Sequence, residues 1–295
     1  MSTQDYLEVD PSSTPLPQLH QYLLGSVSPR PICFASTIDG QGRLNLAPFS
    51  FFNVVSANPP VVVFSPNNSG RDGTPKQTYL NAKEVPEVVV NVVSYKMLQQ
   101  MNVAAAPWAH GVSEFEKAGF TPLASDLVKP MRVAEAPVQL ECKVIDIIEF
   151  GDGGGSGKLI MAQVVKMHIK QSVLSADGKL DPFKLQLVGR MGGSWYCVPE
   201  QDCMFELSQP MQPTLGYDRL PARVRHSKVL TGNDLGQLAG LPSAPTQEDF
   251  DRAVSWLKEH GDYPLNLDDW DSREVSAAEL IGWDKLTEAA ALLLL

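Results

Sequence analysis

The alternation of apolar and polar residues is most regular between residues 30 and 78, where it predicts three consecutive strands. Pro31 can open a strand but cannot donate a hydrogen bond within one, so the first strand begins after it. The turn sequence Asp-Gly-Gln-Gly at 39–42 ends this strand, and Asn58-Pro59-Pro60 ends the second. The third is a continuous apolar run of the kind buried on both faces. The predicted strands are residues 32–38, 44–55 and 61–65.

Beyond residue 80 the pattern predicts further strands and helices around a long loop. The clearest hairpin pairs residues 138–150 with 159–169. Its connection, GDGGGSG at 151–157, joins two strands and lacks GxGxxG or a GKS/GKT sequence, so we expect a flexible hairpin tip and not a phosphate-binding loop. The loop at 108–130 contains a short helix near Ser113 and is long enough to cover a site. The other predicted elements are helix 16–24, strand 88–93 and helix 95–106.

Small polar residues stand at the ends of the first three strands and just after them. All can form hydrogen bonds, and one is charged. Hydroxyl groups and a lysine suit the phosphate end of a ligand, and amides suit an uncharged polar ring. Alternatively, these are ordinary strand and turn residues. The set is Ser36, Thr37, Asn45, Ser50, Ser65, Asn67, Lys76, Gln77 and Thr78.

A helix is predicted over residues 74–83, with Thr74 as its cap and Pro75 in its first turn. A helix N-terminus presents free N–H groups and a partial positive charge. Lys76 and Thr78 in that turn therefore favour phosphate binding, although Lys76 is otherwise explained as a solvated surface lysine.

Several of these motifs together resemble the flavin reductase-like family, the FMN-binding split β-barrels. The resemblance rests on RPICFASTIDGQGRLNLAPFSFF from residue 30, NPPVVVFS from 58, PKQT from 75 and GRMGGSWY from 189, and it covers roughly residues 15–200. It implies a mainly β fold with flanking helices (α+β), a split barrel. Gln77 stands where the family usually has Asp, which places a carboxylate role at this position in doubt.

The resemblance also implies a set of site residues. His168, in the second hairpin strand, corresponds to a strand histidine that often lies near the flavin or nicotinamide, and it is the implied catalytic residue; a lone strand histidine is otherwise explained as a structural or surface residue. Glycines at 189–193 would let the backbone approach the ligand. The implied cofactor-binding residues are Arg30, Pro31, Ser36, Thr37, Asn45, Ala47, Pro48, Phe49, Ser50, Ser65, Lys76, Gln77, Thr78, Arg190 and Tyr196.

The roles of His110 and Trp195 each have two interpretations. His110, near Trp108 in the long loop, either lines a substrate pocket or is an exposed loop residue. Trp195 either faces the cofactor or is a core aromatic at the barrel edge.

Composition narrows the class of ligand and partner. The formal net charge of −10 over 295 residues argues against nucleic-acid binding, because phosphate contacts need clustered Lys and Arg. The net negative charge also repels an anionic cofactor, so such a cofactor needs local positive groups, which Arg30, Arg71 and Lys76 supply. No apolar run reaches the roughly 20 residues that span a bilayer. The acidic N-terminal sequence lacks the order of a signal peptide, so we expect a cytoplasmic protein with no membrane partner.

The four cysteines, at 33, 142, 197 and 203, have no metal-ligand spacing, and we predict neither a metal site nor a disulfide. Cys33 and Cys142 lie in apolar strands and are expected to be buried.

After residue 200 the pattern becomes helical, which predicts two domains: a barrel over 1–200 and a helical extension over 201–295, packed on the barrel or on a partner subunit. Helices are expected at 231–239, 246–260 and from 276 onward, and Thr246 with Asp249 forms a capping box. A basic cluster balances surface charge or clamps a dinucleotide phosphate or partner subunit. Its members are Arg219, Arg223, Arg225, His226 and Lys228.

Three functions follow from the resemblance. The first is an FMN-dependent NAD(P)H:flavin reductase, in which hydride passes from nicotinamide to flavin and reduced flavin goes to another enzyme. The second keeps FMN bound and acts on a dedicated organic substrate, and the third is a non-enzymatic flavin or electron-transfer protein. The cofactor is FMN, with FAD possible, and NAD(P)H is a transient co-substrate. The family also implies a homodimer.

Overall fold

The computed structural model describes residues 6–262 and 265–295. The chain forms two compact units, Met1–Phe205 and Glu206–Leu295. Within the described residues, no helix combines the length and apolar character needed to cross a membrane.

The first unit contains the strands. In chain order they are β1 (Cys33–Ile38), β2 (Leu44–Phe49), β3 (Phe52–Ala57), β4 (Pro60–Phe64), β5 (Glu87–Val92), β6 (Pro122–Leu123), β7 (Arg132–Val133), β8 (Val138–Glu149), β9 (Lys158–Ile169), β10 (Gly189–Arg190) and β11 (Tyr196–Cys197). The predicted single strand over 44–55 is wrong in one respect, because Ser50 and Phe51 break it into β2 and β3.

Seven strands form one antiparallel sheet in the order β2-β1-β5-β8-β9-β4-β3. Its two edge strands, β2 and β3, are consecutive in the chain. Side chains from β1, β4, β5, β8 and β9 meet in one apolar core, with Phe49 of β2 and Phe52 of β3 packed against it. The strands therefore curve around a shared interior, as in a barrel. The predicted mainly β class with flanking helices is confirmed.

The two faces of β1 have different neighbours, because side chains alternate along a strand. Cys33 and Ala35 point into the barrel core. Phe34 points outward into a second apolar cluster, which contains Leu46 and the helices that follow β5. This alternation decides which motif residues lie together.

The helices of the first unit flank the barrel. They are α1 (Leu16–Ser26), α2 (Gln77–Glu84), α3 (Leu98–Ala104), α4 (Glu114–Ala118) and α5 (Pro182–Leu185). The predicted start of α2 is too early: its N-cap is Lys76, with no side-chain cap, and Thr74 lies in the preceding loop. The predicted helix over 95–106 divides into a 3-10 turn at Tyr95–Met97 and α3.

The second unit is helical around its own leucine- and alanine-rich core. Its helices are α6 (Ala222–Arg225), α7 (Gly232–Ala239), α8 (Gln247–His260), α9 (Trp270–Gly282) and α10 (Leu286–Leu294). The capping box of Thr246 and Asp249 is confirmed at the start of α8. The helix predicted from residue 276 onward is in fact the end of α9 followed by α10.

Candidate functional site

A buried hydrogen-bond network fixes the start of α2 against the barrel. The side-chain Nδ2 of Asn45 donates to Thr78 Oγ1 at 3.0 Å and to Thr37 Oγ1 at 3.3 Å. Asn81 Nδ2 donates to the same Thr37 oxygen at 3.2 Å. All four residues are buried. Because Thr78 Oγ1 accepts from Asn45, its own proton remains available to a ligand.

Donor groups collect at this helix start. The backbone N–H groups of Gln77 and Thr78 make no hydrogen bond within the described residues. The side chain of Lys76 is exposed and forms no ion pair with any described residue. A free ammonium beside two free N–H groups can hold an anion.

A cavity of about 320 Å³, the central cavity, opens beside this helix start. It is bounded by β2, the segment after it, the end of β4, α2 and the segment after α3. Asn67 of the small polar set lines it, and so do nine of the fifteen implied cofactor-binding residues: Asn45, Ala47, Pro48, Phe49, Ser50, Ser65, Lys76, Gln77 and Thr78.

A larger cavity of about 860 Å³, the loop cavity, shares Asn45, Lys76 and Gln77 with the central cavity and extends between residues 68–76 and 105–114. The glycine-rich connection of the β8–β9 hairpin supports its wall. Asn68 donates from its backbone N–H to Ser156 O and from Nδ2 to Asp152 O. The connection that the sequence predicts to be a flexible hairpin tip therefore docks on the loop before α2.

A buried lysine, Lys158, and an exposed glutamate, Glu149, anchor the same hairpin to α2. The Lys158 ammonium lies 3.2 Å from Glu149 Oε2 and donates to Gly151 O at 2.8 Å. Tyr79 OH donates to Glu149 Oε1 at 2.6 Å. Hydrogen bonds from Tyr79, Lys158 and Lys83 lower the pKa of Glu149 to about 2.

A third cavity of about 310 Å³, the arginine cavity, is also lined by Pro48, Phe49 and Ser50. It contains Arg30, Arg190 and Tyr196 of the predicted set. Arg30 is buried and its Nη1 donates to the carbonyls of Leu24 and Val27.

Arg30 therefore holds the chain after α1, and it is only partly available to a ligand. Its Nη2 donates to Met191 O at 3.1 Å, and its Nε lies 3.4 Å from Ser50 Oγ. Burial, and secondarily the charge of Arg190, lowers the pKa of Arg30.

Gly189 and Gly192 serve close packing within the protein. A Cβ at Gly189 would lie 2.8 Å from Cys197 Sγ and 3.0 Å from Pro29 Cβ, and one at Gly192 would lie 3.1 Å from Gly25 Cα. The β10–β11 hairpin thereby packs against the end of α1, which explains these glycines without a ligand.

Three residues of the predicted set lie outside these three cavities. Pro31 is exposed at the start of β1. Thr37 is buried beneath Asn45 and supports it. Ser36 lies on the opposite face of β1, because successive strand residues alternate, and its buried hydroxyl has no partner among the described residues. Adjacent positions in a strand cannot both face one ligand.

His168 also lies apart from the three cavities. Its Nε2 is 2.6 Å from Oε1 of the fully buried Glu141. Glu141 also accepts from the N–H groups of Asp126 and Leu127. Burial acts to raise the pKa of Glu141, but these hydrogen bonds lower it overall.

This arrangement explains His168 as part of a polar anchor for the loop before β7. The ligand-type atoms of Asp126, Glu141 and His168 lie within 4.8 Å of one another, a spacing that a metal ion also uses. However, Asp126 is already paired with Lys166.

The structure adds three residues that the motifs missed. Glu114, at the start of α4, accepts a hydrogen bond from Leu46 N–H in edge strand β2 at 2.9 Å and lines the central and loop cavities. Burial raises its pKa. Trp108 lines the same two cavities, and His20 of α1 lines the loop and arginine cavities. The sequence signal that could have identified Glu114 is its position directly after Ser113, the N-cap residue of a short helix in the long loop.

The remaining candidates are distributed more widely. His110 is an exposed loop residue that also lines the loop cavity. Trp195 is 78% exposed, so it is not a core aromatic. In the second unit, the Arg223 guanidinium lies 3.9 Å from the centre of the Trp270 ring, so one member of the basic cluster contributes to packing. Cys33 and Cys142 are buried, as predicted, and all four cysteines are free.

The chain is similar to known proteins. The family model described as the flavin reductase like domain matches residues 24–183. An uncharacterised protein of Aquifex aeolicus (strain VF5) is 36% identical over 189 residues, which cover 64% of this chain and 94% of that protein.

Two solved structures extend the comparison to the fold. Nitrilotriacetate monooxygenase component B from Bacillus cereus is 30% identical with a TM-score of 0.64, covering 68% of this chain and 98% of its own. The 2-nitrobenzoate 2-nitroreductase of Pseudomonas fluorescens is 27% identical with a TM-score of 0.62. The match covers 71% of this chain and 100% of that protein's chain. With a family match over more than half of its length and an antiparallel sheet of seven strands around one core, the chain belongs to the flavin reductase-like family of split-barrel, flavin-related oxidoreductases.

Proposed function

We propose that the protein is an FMN-dependent oxidoreductase in which NAD(P)H reduces the flavin. The observation that carries this proposal is the central cavity, where the only unpaired ammonium among its described lining residues, Lys76, stands beside the free N–H groups of Gln77 and Thr78. These groups would bind the flavin phosphate, which carries about −1.5 to −2 charges near neutral pH.

The walls of the central cavity next to the phosphate-binding groups suit the uncharged ring system of the flavin. Ala47, Pro48 and Phe49 provide apolar surface, and Asn45 and Ser50 provide hydrogen-bonding groups. When bound, the flavin supplies the redox chemistry by accepting a hydride from the nicotinamide. The protein positions the two rings and shields them from water.

The loop cavity provides the room for the dinucleotide. Its volume of about 860 Å³ lies within the range of ligand pockets, and it shares the lining residues Asn45, Lys76 and Gln77 with the central cavity. Arg71, which lines it, forms no ion pair within the described residues and would meet the dinucleotide phosphates. FMN is preferred to FAD because one phosphate group matches one small cluster of donors.

We place the protein in the cytoplasm and expect a homodimer. Edge strand β3 exposes Val54 (64%) and Val55 (56%), an apolar strand surface that a second subunit would cover. Light scattering on a size-exclusion column should report about twice the chain mass of 32.2 kDa.

The test is a flavin titration followed by an oxidation assay. We expect the purified protein to bind FMN stoichiometrically and to oxidise NADH or NADPH only in its presence. Oxidation that rises with added free flavin would support transfer of reduced flavin to another enzyme, in line with the similarity to a monooxygenase component. Failure to bind FMN would refute the proposal.

The arginine cavity favours a second candidate, a flavoenzyme that keeps FMN bound and acts on a dedicated organic substrate. This cavity shares Pro48, Phe49 and Ser50 with the central cavity, so a molecule bound in it would lie beside the flavin site. Similarity to a nitroreductase is consistent with this candidate. A protein that retains FMN but oxidises NAD(P)H only when an organic acceptor is added would distinguish it.

A further inference from the structure

The arginine cavity contains positive charge without a counter-charge. Two guanidinium groups line it, those of Arg30 and Arg190, and their backbones pair directly in an isolated antiparallel bridge. Among the described residues that line the cavity none is Asp or Glu, and neither arginine forms an ion pair in the described part of the chain. Buried charges are normally paired, and this chain has an excess of ten acidic groups.

The two arginines differ in how many donors remain. Arg30 directs four N–H groups to Leu24 O, Val27 O, Met191 O and Ser50 Oγ, so at most one is left. Arg190 donates from Nη1 to Tyr196 OH and from Nη2 to Gly193 O. Three of its five N–H groups therefore make no hydrogen bond to the described residues, which is enough for a bidentate bond to a carboxylate.

The rest of the cavity is apolar and partly aromatic. Ile32 and Met101 form one part of the wall, Phe49 and Phe51 another, and the Tyr196 ring lies 4.5 Å from the Arg190 guanidinium carbon. Such walls favour a flat ring over a hydrated inorganic ion. His20 and Asn102 contribute further polar groups at the lining.

From these features we infer that the arginine cavity binds a planar aromatic carboxylate, with its carboxylate on Arg190 and its ring against Phe49 and Phe51. This site deepens the second candidate function, because the shared wall of Pro48, Phe49 and Ser50 places the ring beside the flavin position. Only that last point depends on the proposed function; the anion site itself does not.

The test is calorimetric titration of benzoate into the FMN-loaded protein, with benzamide as the neutral analogue of the same shape. We expect saturable benzoate binding, with benzamide bound about tenfold more weakly or worse, because it cannot form the charge-assisted pair. Arg190→Gln should weaken benzoate binding about tenfold, and Arg190→Lys should weaken it less. Arg71→Gln removes an unpaired charge from the loop cavity and should leave benzoate binding unchanged.

Several outcomes would overturn the inference: no benzoate binding by FMN-loaded protein, equal affinity for benzoate and benzamide, or equal losses in the Arg190→Gln and Arg71→Gln variants. Competition between FMN and benzoate on the flavin-free protein would assign the anion site to the flavin's own phosphate and would also overturn it. Should Arg190→Gln fail to fold, the benzoate–benzamide comparison in the natural protein decides. Benzoate binding without FMN binding would refute the proposed function and leave this site standing.

Discussion

The side-chain amide of Asn45 in β2 donates a hydrogen bond to the hydroxyl of Thr78 in α2, across 3.0 Å and 33 residues of sequence. This bond joins the edge of the barrel to the first turn of the helix that presents Lys76. The position of the proposed phosphate-binding groups therefore depends on a residue that lies in a different motif.

Replacing Asn45 with Ala should lower both stability and flavin affinity. The substitution leaves the buried hydroxyl of Thr78 without its donor and removes one of the two donors to Thr37, at a cost of about 1–3 kcal/mol in the free energy of unfolding. Urea unfolding and FMN titration measure the two effects. Asn53→Ala, at an exposed position of β3, is the matched control and should change neither. An unchanged FMN affinity in a folded Asn45→Ala protein would contradict the positioning role.

Lys76→Ala should weaken FMN binding about tenfold, because the lysine is exposed and its charge-assisted hydrogen bond is partly screened by water. The loss should shrink as salt concentration rises. FMN titration by fluorescence quenching measures both effects. Lys96→Ala removes another exposed lysine of the same unit and serves as control. A change below about twofold would show that Lys76 is not a phosphate ligand.

Glu114→Gln should raise the melting temperature near neutral pH. Burial raises the pKa of Glu114 above its ordinary 4.5, so the folded protein loses stability as pH rises from that value through the raised pKa. Glutamine can still accept a hydrogen bond from Leu46 N–H but carries no charge at this half-buried position. The advantage should disappear below pH 4.5 in a series of thermal melts. A variant less stable than the natural protein at every pH would mean that the ionised form is needed.

Glu149→Gln should remove an acid-dependent part of the stability. The pKa of Glu149 is lowered to about 2, so its contribution is present above the ordinary value of 4.5 and is lost as pH falls toward 2. The difference in melting temperature between the two proteins should therefore narrow across this window. Glu116→Gln, at an exposed helix position, should give a pH-independent difference near zero. Parallel curves of melting temperature against pH for the natural protein and Glu149→Gln would refute the lowered pKa of Glu149.

Gly154→Ala should destabilise the docked hairpin connection. The new Cβ would meet Ser69 O at 3.2 Å and Gly70 O at 3.3 Å, and backbone atoms yield less easily than side chains. We expect a loss of about 1 kcal/mol or more. Gly153→Ala is the matched control one residue away, because its nearest contact is a side-chain oxygen at 3.8 Å. Equal melting temperatures for the two variants would show that the connection is not held as described.

The sequence alone determined the local features of this protein. Alternation and turn signals located the strands, the Thr246 and Asp249 pair marked a helix start, and the motifs identified nine of the residues that line the central cavity. These features depend on neighbours only a few residues apart, so they can be read from the chain directly.

Only the tertiary structure decided how the motif residues divide among faces and cavities. It buried Ser36 away from Asn45, directed Arg30 to backbone carbonyls, and placed His168 against Glu141. It also brought Glu114 to Leu46 across 68 residues and Lys158 N–H to Ser65 across 93. Such contacts arise when strands distant in sequence become neighbours, and no local pattern encodes which side chains then meet.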